Sequence, residues 1–226
     1  MASHILRLLE DRLGPDKQLQ PPLMKLHRVI FVAEGDMTVK VGKDSRYFAA
    51  NQAWFGTESP AVTAGKGGAK LWRWELVDKM GSDEARNLGD SDRPKLKLSA
   101  DITLDPTEQY LIRCDRVDFP LGGVAYTHTH AGPGIRCLYR GKFMVSVNGH
   151  QTHLDPGAPW FEAGPDPVYA EASKTELTSF IRTMVLPARL KGQSSIKYVK
   201  DEDRDKPKTQ TYTRFVDDLI DLKSAI

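Results

Sequence analysis

Three observations predict an all-β protein made of two antiparallel β-barrels or sandwiches in tandem. Short runs of β-branched and aromatic residues alternate with Gly and Pro turn signals, helical periodicity is absent until the final stretch, and one series of strands and turns occurs twice.

Taken in order, Val29-Ile30-Phe31-Val32 and Met37-Thr38-Val39-Lys40-Val41 read as two strands joined by a turn at Glu34-Gly35-Asp36, with the next turn at Lys43-Asp44. Tyr47-Phe48, Ala53-Trp54-Phe55 and residues 71–77 continue the rhythm, punctuated at Gly56, Pro60 and Gly65 to Gly68. Residues 78–100 are rich in Asp, Gly, Ser, Lys and Arg, and read as an exposed linker. Strands resume at 109–114 and 116–119, and the second series ends with 179–186 before Pro187. Residues 195–199 read as a further strand and 200–208 as a charged loop. Phe215, Leu219 and Leu222 recur at i, i+4 and i+7 beside Val216 and Ile220, which predicts a short amphipathic C-terminal helix. Such a helix docks on the barrel or closes a homodimer, and the sequence favours neither.

The duplication appears on shifting the first series by 106 positions. Gly35 then falls on Gly141, Val39 on Val145, Val41 on Val147, Phe48 on Leu154, Trp54 on Trp160 and Phe55 on Phe161. With one residue inserted, Pro60 and Val62 correspond loosely to Pro167 and Val168. The expected organisation is an N-terminal barrel over 1–78, a linker over 79–100, a C-terminal barrel over 101–190 and a tail over 191–226.

Length and composition bound the function. A chain of 226 residues, 40% hydrophobic and 27% charged, buries a sizeable core. Its 32 basic and 30 acidic residues are interspersed and leave a formal charge of +2, which argues against nucleic acid or an anionic membrane surface as partner. Cys114 and Cys137 have no metal-motif spacing and read as reduced core thiols. The first 13 residues lack the apolar run of a signal peptide, and no stretch approaches a membrane span, so a soluble cytoplasmic protein is expected. No G-x-S-x-G, Walker-type glycine loop or C-x-x-C occurs.

The chemistry concentrates in Tyr126-Thr127-His128-Thr129-His130-Ala131-Gly132-Pro133-Gly134-Ile135-Arg136. In an extended strand Tyr126, His128 and His130 share one face, so two imidazoles point the same way, suited to a divalent metal or to a bound acid. If Gly134 is inward, Arg136 is inward too, where its guanidinium grips a ligand carboxylate or pairs with Glu162 or Glu171. His150 and His153 follow a turn at Gly149 and are expected to be exposed. The aromatic set Trp54, Trp72, Trp74, Trp160 and Phe161 reads more readily as barrel core than as pocket lining.

The stretch from Gly122 through His128 and His130 to Gly141 resembles the first motif of the cupin family, G-x5-H-x-H-x3-4-E-x6-G. Together with the repeat, the resemblance implies a two-domain cupin, with His128 and His130 as metal ligands. At the family's glutamate position stands Gly134, or Ile135 with the longer spacing. Residues 162–167 resemble P-x-G-x2-H of the second motif and put Pro167 at the third histidine. In the first copy Pro22 and Met24 replace the histidine pair, leaving the N-terminal barrel as a structural partner. A metal in the second copy, of the Fe, Mn, Ni or Zn type, needs a third ligand; Glu162 ranks first on ligand chemistry, ahead of Tyr169, Glu171 and Tyr126. The functional expectation is binding of a small, carboxylate-bearing molecule through Arg136, Tyr126 and Tyr169. The chain is then either a divalent-metal enzyme of dioxygenase, isomerase or lyase type, or a binding or sensing module that has lost its metal.

Overall fold

The computed structural model describes residues 2–80 and 94–222. The chain divides into two compact units, residues 1–108 with 220–226, and residues 109–219.

The first unit holds β1 (Ala2–Leu13), β2 (His27–Val41), β3 (Asp44–Ala49), β4 (Ala53–Gly56), β5 (Ala61–Asp78) and β6 (Lys95–Leu104). They form one antiparallel sheet in the order β3-β2-β5-β1-β6, with β4 also on β2. The expected turn at Glu34-Gly35-Asp36 is instead a pair of β-bulges within the continuous strand β2. Pairing with β5 holds both halves extended, and the bulges bend the strand so that one half meets β4 and the other β3. Gly35 has φ 74°, and a Cβ there would lie 2.1 Å from the Gly68 carbonyl oxygen, so no side chain fits where the strands cross.

The second unit holds β7 (Tyr110–Phe119), β8 (Val124–His130), β9 (Gly134–Arg140), β10 (Phe143–Val147), β11 (His150–Leu154), β12 (Pro159–Glu162), β13 (Val168–Ala172), β14 (Thr178–Pro187), β15 (Ile196–Tyr198) and β16 (Thr211–Ile220). One sheet runs β11-β10-β13-β8-β15 and the other β12-β9-β14-β7-β16. Their inner faces supply a core of Phe119, Leu138, Phe143, Val145, Trp160, Val168 and Phe180. Four of its aromatic rings interlock, with centroids 5.1 Å apart for Phe119–Phe143 and for Trp160–Phe180.

The duplication extends to strand register. Ile30 pairs with Trp54 and Met37 with Phe48; 106 positions on, Arg136 pairs with Trp160 and Phe143 with Leu154. The sheet contacts of β2 with β3 and β4 are thus repeated by β9 and β10 with β11 and β12.

Three expectations are corrected. The C-terminal helix is absent: residues 211–220 are β16, hydrogen-bonded to β7. Val216 and Ile220 are buried and Leu219 is 55% exposed. A spacing of four residues keeps two side chains on one face of a strand as well as of a helix, so the stripe did not discriminate between them. Residues 95–100, assigned to the linker, are paired in β6 with β1; residues 81–93 of that linker lie outside the described residues. Most of the tail after residue 190, with β15 and β16, belongs to the second unit. Cys114 and Cys137 are buried free thiols. Among the described residues no helix is long and apolar enough to cross a membrane.

Candidate functional site

The second unit gathers its histidines, Arg136 and Glu162 at the polar end of its core, and local backbone geometry puts them there. Strand β8 carries His128 and His130, both 6% exposed. Opposite β13, Val168 aligns with His128 but Ala170 with Ala125, so one extra residue bulges out of β8 between them. That bulge breaks the alternation expected from the sequence: Ala125, His128 and His130 line the interior, and Tyr126 does not. The Tyr126 ring instead lies 4.9 Å beneath the Lys206 ammonium. Beyond β8 the backbone segments touch: a Cβ on Gly132 would be 2.2 Å from the Val185 carbonyl oxygen. The His130 amide is tied to Gly164 O at 2.7 Å. The Ala131-Gly132-Pro133-Gly134 stretch is therefore a close backbone crossing against β14 and Gly164.

Across β7, β14, β9 and β12, ladder pairing sets Asp115, Arg182, Arg136 and Trp160 side by side in one row. Glu162 stands two residues beyond Trp160, opposite Gly134. Arg136 donates from Nη1 to Gly134 O at 2.6 Å, and its Nη2 lies 2.6 Å from Glu162 Oε2. Trp160 Nε1 donates to Glu162 Oε1 at 2.8 Å. Arg182 forks onto Asp115, with Nε at 2.6 Å and Nη2 at 3.1 Å.

Hydrogen bonding fixes the imidazole protons. The Tyr126 carbonyl, 2.7 Å from His128 Nδ1, can only accept, so Nδ1 carries the proton and Nε2 presents a lone pair. His130 Nε2, 3.2 Å from that lone pair, is then the donor, which leaves His130 Nδ1 as a buried acceptor without a partner. His130 Nε2 also lies 3.2 Å from Glu162 Oε2. Burial pushes His130 down to about 3, with Arg136 adding to the effect and Glu162 opposing it, and burial likewise lowers His128. Burial, the largest single influence, would raise the Glu162 carboxyl, but Arg136, His130 and Trp160 together outweigh it and hold the group well below the usual carboxylate range. Near neutral pH the cluster is therefore two neutral imidazoles and one closed ion pair.

Two imidazoles and a carboxylate invite comparison with a divalent-metal site. Donor spacings of 3.2 Å suit a shared cation at about 2.1 Å from each atom. Glu162 Oε2 has no hydrogen-bond partner, but the Arg136 guanidinium lies 2.6 Å from it, and a positive charge that close to a ligand oxygen opposes a second cation. Among the described residues no group of three or more His, Cys, Asp or Glu is arranged to hold a metal ion. As arranged, the set does not fit one.

Cavity size separates two spaces. The chamber lined by His128, His130, Arg136, Trp160 and Glu162 has a volume of about 30 Å³, room for about one or two waters. It shares Arg182, Ile196, Gln210 and Tyr212 with a pocket of about 320 Å³ built by residues 192–198 and 208–214, a size that admits a small organic ligand. Tyr169 lies outside both; its hydroxyl donates to Glu171 Oε1, and burial together with Glu171 pushes it up to about 12. His150 and His153 are exposed. Trp54 lies in the first unit's core, whereas Trp160 is both core and site. Arg182, Asp115, Ser195, Gln210 and Tyr212 escaped the sequence reading. Arg182 could have been found from Arg73 of the first copy, which occupies the matching ladder position opposite Ile30.

No protein-family model matches this chain, and no curated protein matches it significantly. Solved structures do. AerE from Microcystis aeruginosa superposes with a TM-score of 0.59 at 11% identity, over 81% of this chain and 88% of that one. Salicylate 1,2-dioxygenase from Pseudaminobacter salicylatoxidans gives 0.56 at 12%, over 85% and 74%. A single-residue variant of oxalate decarboxylase from Bacillus subtilis gives 0.63 at 12%, over 90% and 74%. With the repeated antiparallel strands, these likenesses establish the fold: it is that of a two-domain cupin.

Proposed function

We propose that the second unit is a small-molecule-binding cupin domain. The body of the ligand, a small carboxylate-bearing molecule, occupies the pocket of about 320 Å³, and one hydrogen-bonding group of it reaches the His128–His130 end. The observation that carries this reading is the continuity of a ligand-sized pocket with a polar chamber through four shared residues. Inside the chamber the chain offers neutral imidazoles and a buried ion pair, groups that recognise and orient. The names of two structural neighbours, salicylate dioxygenase and oxalate decarboxylase, refer to small carboxylic acids and support the ligand class at the level of fold. In this reading the protein is a binding or sensing module.

A second reading, a divalent-metal enzyme of dioxygenase, isomerase or lyase type, is favoured by the 3.2 Å spacing of His128 Nε2, His130 Nε2 and Glu162 Oε2. It requires Arg136 to leave Glu162.

Trp160 reports on the site because its indole N–H is bonded to Glu162. Titrating a panel of small carboxylic acids and neutral analogues while following the Trp160 indole signal by NMR tests the proposal. A saturable shift in the parent, lost or much weakened in His130→Gln, supports it. Shifts of equal size and midpoint in both proteins, or none with any compound, reject it.

A further inference from the structure

We infer that the ligand's negative charge is bound by the larger pocket, at Arg182 and Ser195, and not by Arg136. This inference rests on the reading of the second unit as a small-molecule site. In the chamber Arg136 is committed on both sides, to Glu162 and to Gly134 O, and the Glu162 carboxylate would repel an entering anion. Its charge is balanced and its space is about 30 Å³.

The larger pocket differs on each count. Asp217 is shared by Arg113, at 2.8 Å, and Arg214, at 3.3 Å. Asp115 balances Arg182. The Lys208 ammonium is met by main-chain oxygens, including those of Lys206 at 2.6 Å and Arg204 at 2.9 Å, which supply dipoles and no counter-charge. Four cations against two carboxylates leave a surplus of two positive charges around the pocket.

Two buried polar atoms there have no partner: Ser195 Oγ, on a residue 6% exposed, and Gln210 Oε1, on a residue 8% exposed. A buried hydroxyl and amide left unmatched cost stability unless a ligand or water completes them. Asp115 takes Nε and Nη2 of Arg182, so Nη1 is the nitrogen that Asp115 leaves over. The Arg182 guanidinium is held against the Tyr212 ring, 5.5 Å from its centroid, which presents it at the junction with the chamber. The Arg182 guanidinium nitrogen and the Ser195 hydroxyl are the donors for one oxyanion, while Gln210 Oε1, an acceptor, is left to take an N–H or O–H from the ligand or a water. An aromatic or aliphatic body between oxyanion and chamber would run along Ile196 and Tyr212.

The test is calorimetric titration of the full chain with benzoate, its neutral isostere benzamide, and inorganic phosphate. Benzoate is expected to bind about tenfold or more tightly than benzamide. The Asp115→Asn/Arg182→Gln double variant, which removes the ion pair together, should weaken benzoate by about tenfold and leave benzamide nearly unchanged. Should that variant fail to fold, Ser195→Ala and the rim variant Arg214→Gln provide the same comparison, with losses of a few-fold each. Phosphate binding more tightly than benzoate, with the same sensitivity, supports the oxyanion site and assigns it to a phosphoryl group. Equal affinity for benzoate and benzamide, with both weakened by His130→Gln, overturns this inference while leaving the small-molecule site intact. Absence of binding by all three probes at ~10 mM overturns the inference, and the Trp160 titration then decides separately whether the barrel binds small molecules at all.

Discussion

The Arg136 guanidinium lies 2.6 Å from Glu162 Oε2, with both side chains almost wholly buried. A buried pair of this kind is costly to break because removal of one partner strands the other charge in a medium of low polarity. Arg136→Gln and Glu162→Gln are each expected to destabilise the protein by about 3 kcal/mol or more, and the double variant by less than their sum. Denaturant unfolding of the four proteins forms a double-mutant cycle. Additive losses would show that the pair is not coupled.

The same pair blocks a cation. Replacing Arg136 by Leu frees Glu162 Oε2 beside two imidazole nitrogens, and the variant is expected to bind Zn²⁺ about tenfold or more tightly than the parent. Competition titration with a chromogenic chelator measures this. Equal zinc affinity in both proteins would mean that the guanidinium does not control the site.

Acid should weaken the fold through the histidines. His130 is pushed to about 3 in the folded chain from an ordinary 6.5, and His128 is also lowered. Between those values the unfolded chain binds protons that the folded chain refuses, so stability rises with pH across the window. The contribution is complete above 6.5 and is lost as pH falls toward 3. Glu162, held below its ordinary 4.5, adds a further loss below that value. Thermal unfolding midpoints should fall between about pH 7 and about pH 5, and fall less steeply in His130→Gln. Parallel profiles for parent and variant would contradict the neutral buried imidazole.

Gly134 stands where the cupin resemblance anticipated a glutamate. A Cβ at this position would lie 2.8 Å from Thr183 O and 3.0 Å from Arg136 Nη1. Gly134→Ala is therefore expected to cost about 1–3 kcal/mol and to disturb the Arg136–Glu162 pair. Unfolding measurements together with the Trp160 indole shift check both effects; a stable variant with an unchanged indole signal would show that the contact relaxes freely.

The fold was legible because glycines, tryptophans and alternating valines recur at one offset, and the structure repeats even their ladder partners. Arg136 was legible as inward because β9 alternates regularly from Gly134 to Leu138. Tyr126 was not legible as excluded, since a single bulged residue in β8 reverses the face on which it lies, and nothing in Tyr126-Thr127 announces a bulge. β16 was misread because Val216 and Ile220 satisfy strand and helix alike. Arg182 and Asp115 went unnoticed because their importance comes from lateral pairing between β7 and β14, strands distant in sequence.

The most direct test of the account is the imidazole ¹⁵N NMR spectrum of the protein as purified without chelator, with His128 and His130 assigned by substitution, before and after adding EDTA. The account predicts two neutral rings near pH 7, His128 protonated at Nδ1 and His130 at Nε2, with neither signal changed by the chelator. Nε2 signals of both rings shifted by a bound metal, and released by EDTA, would contradict it and establish the pair as metal ligands.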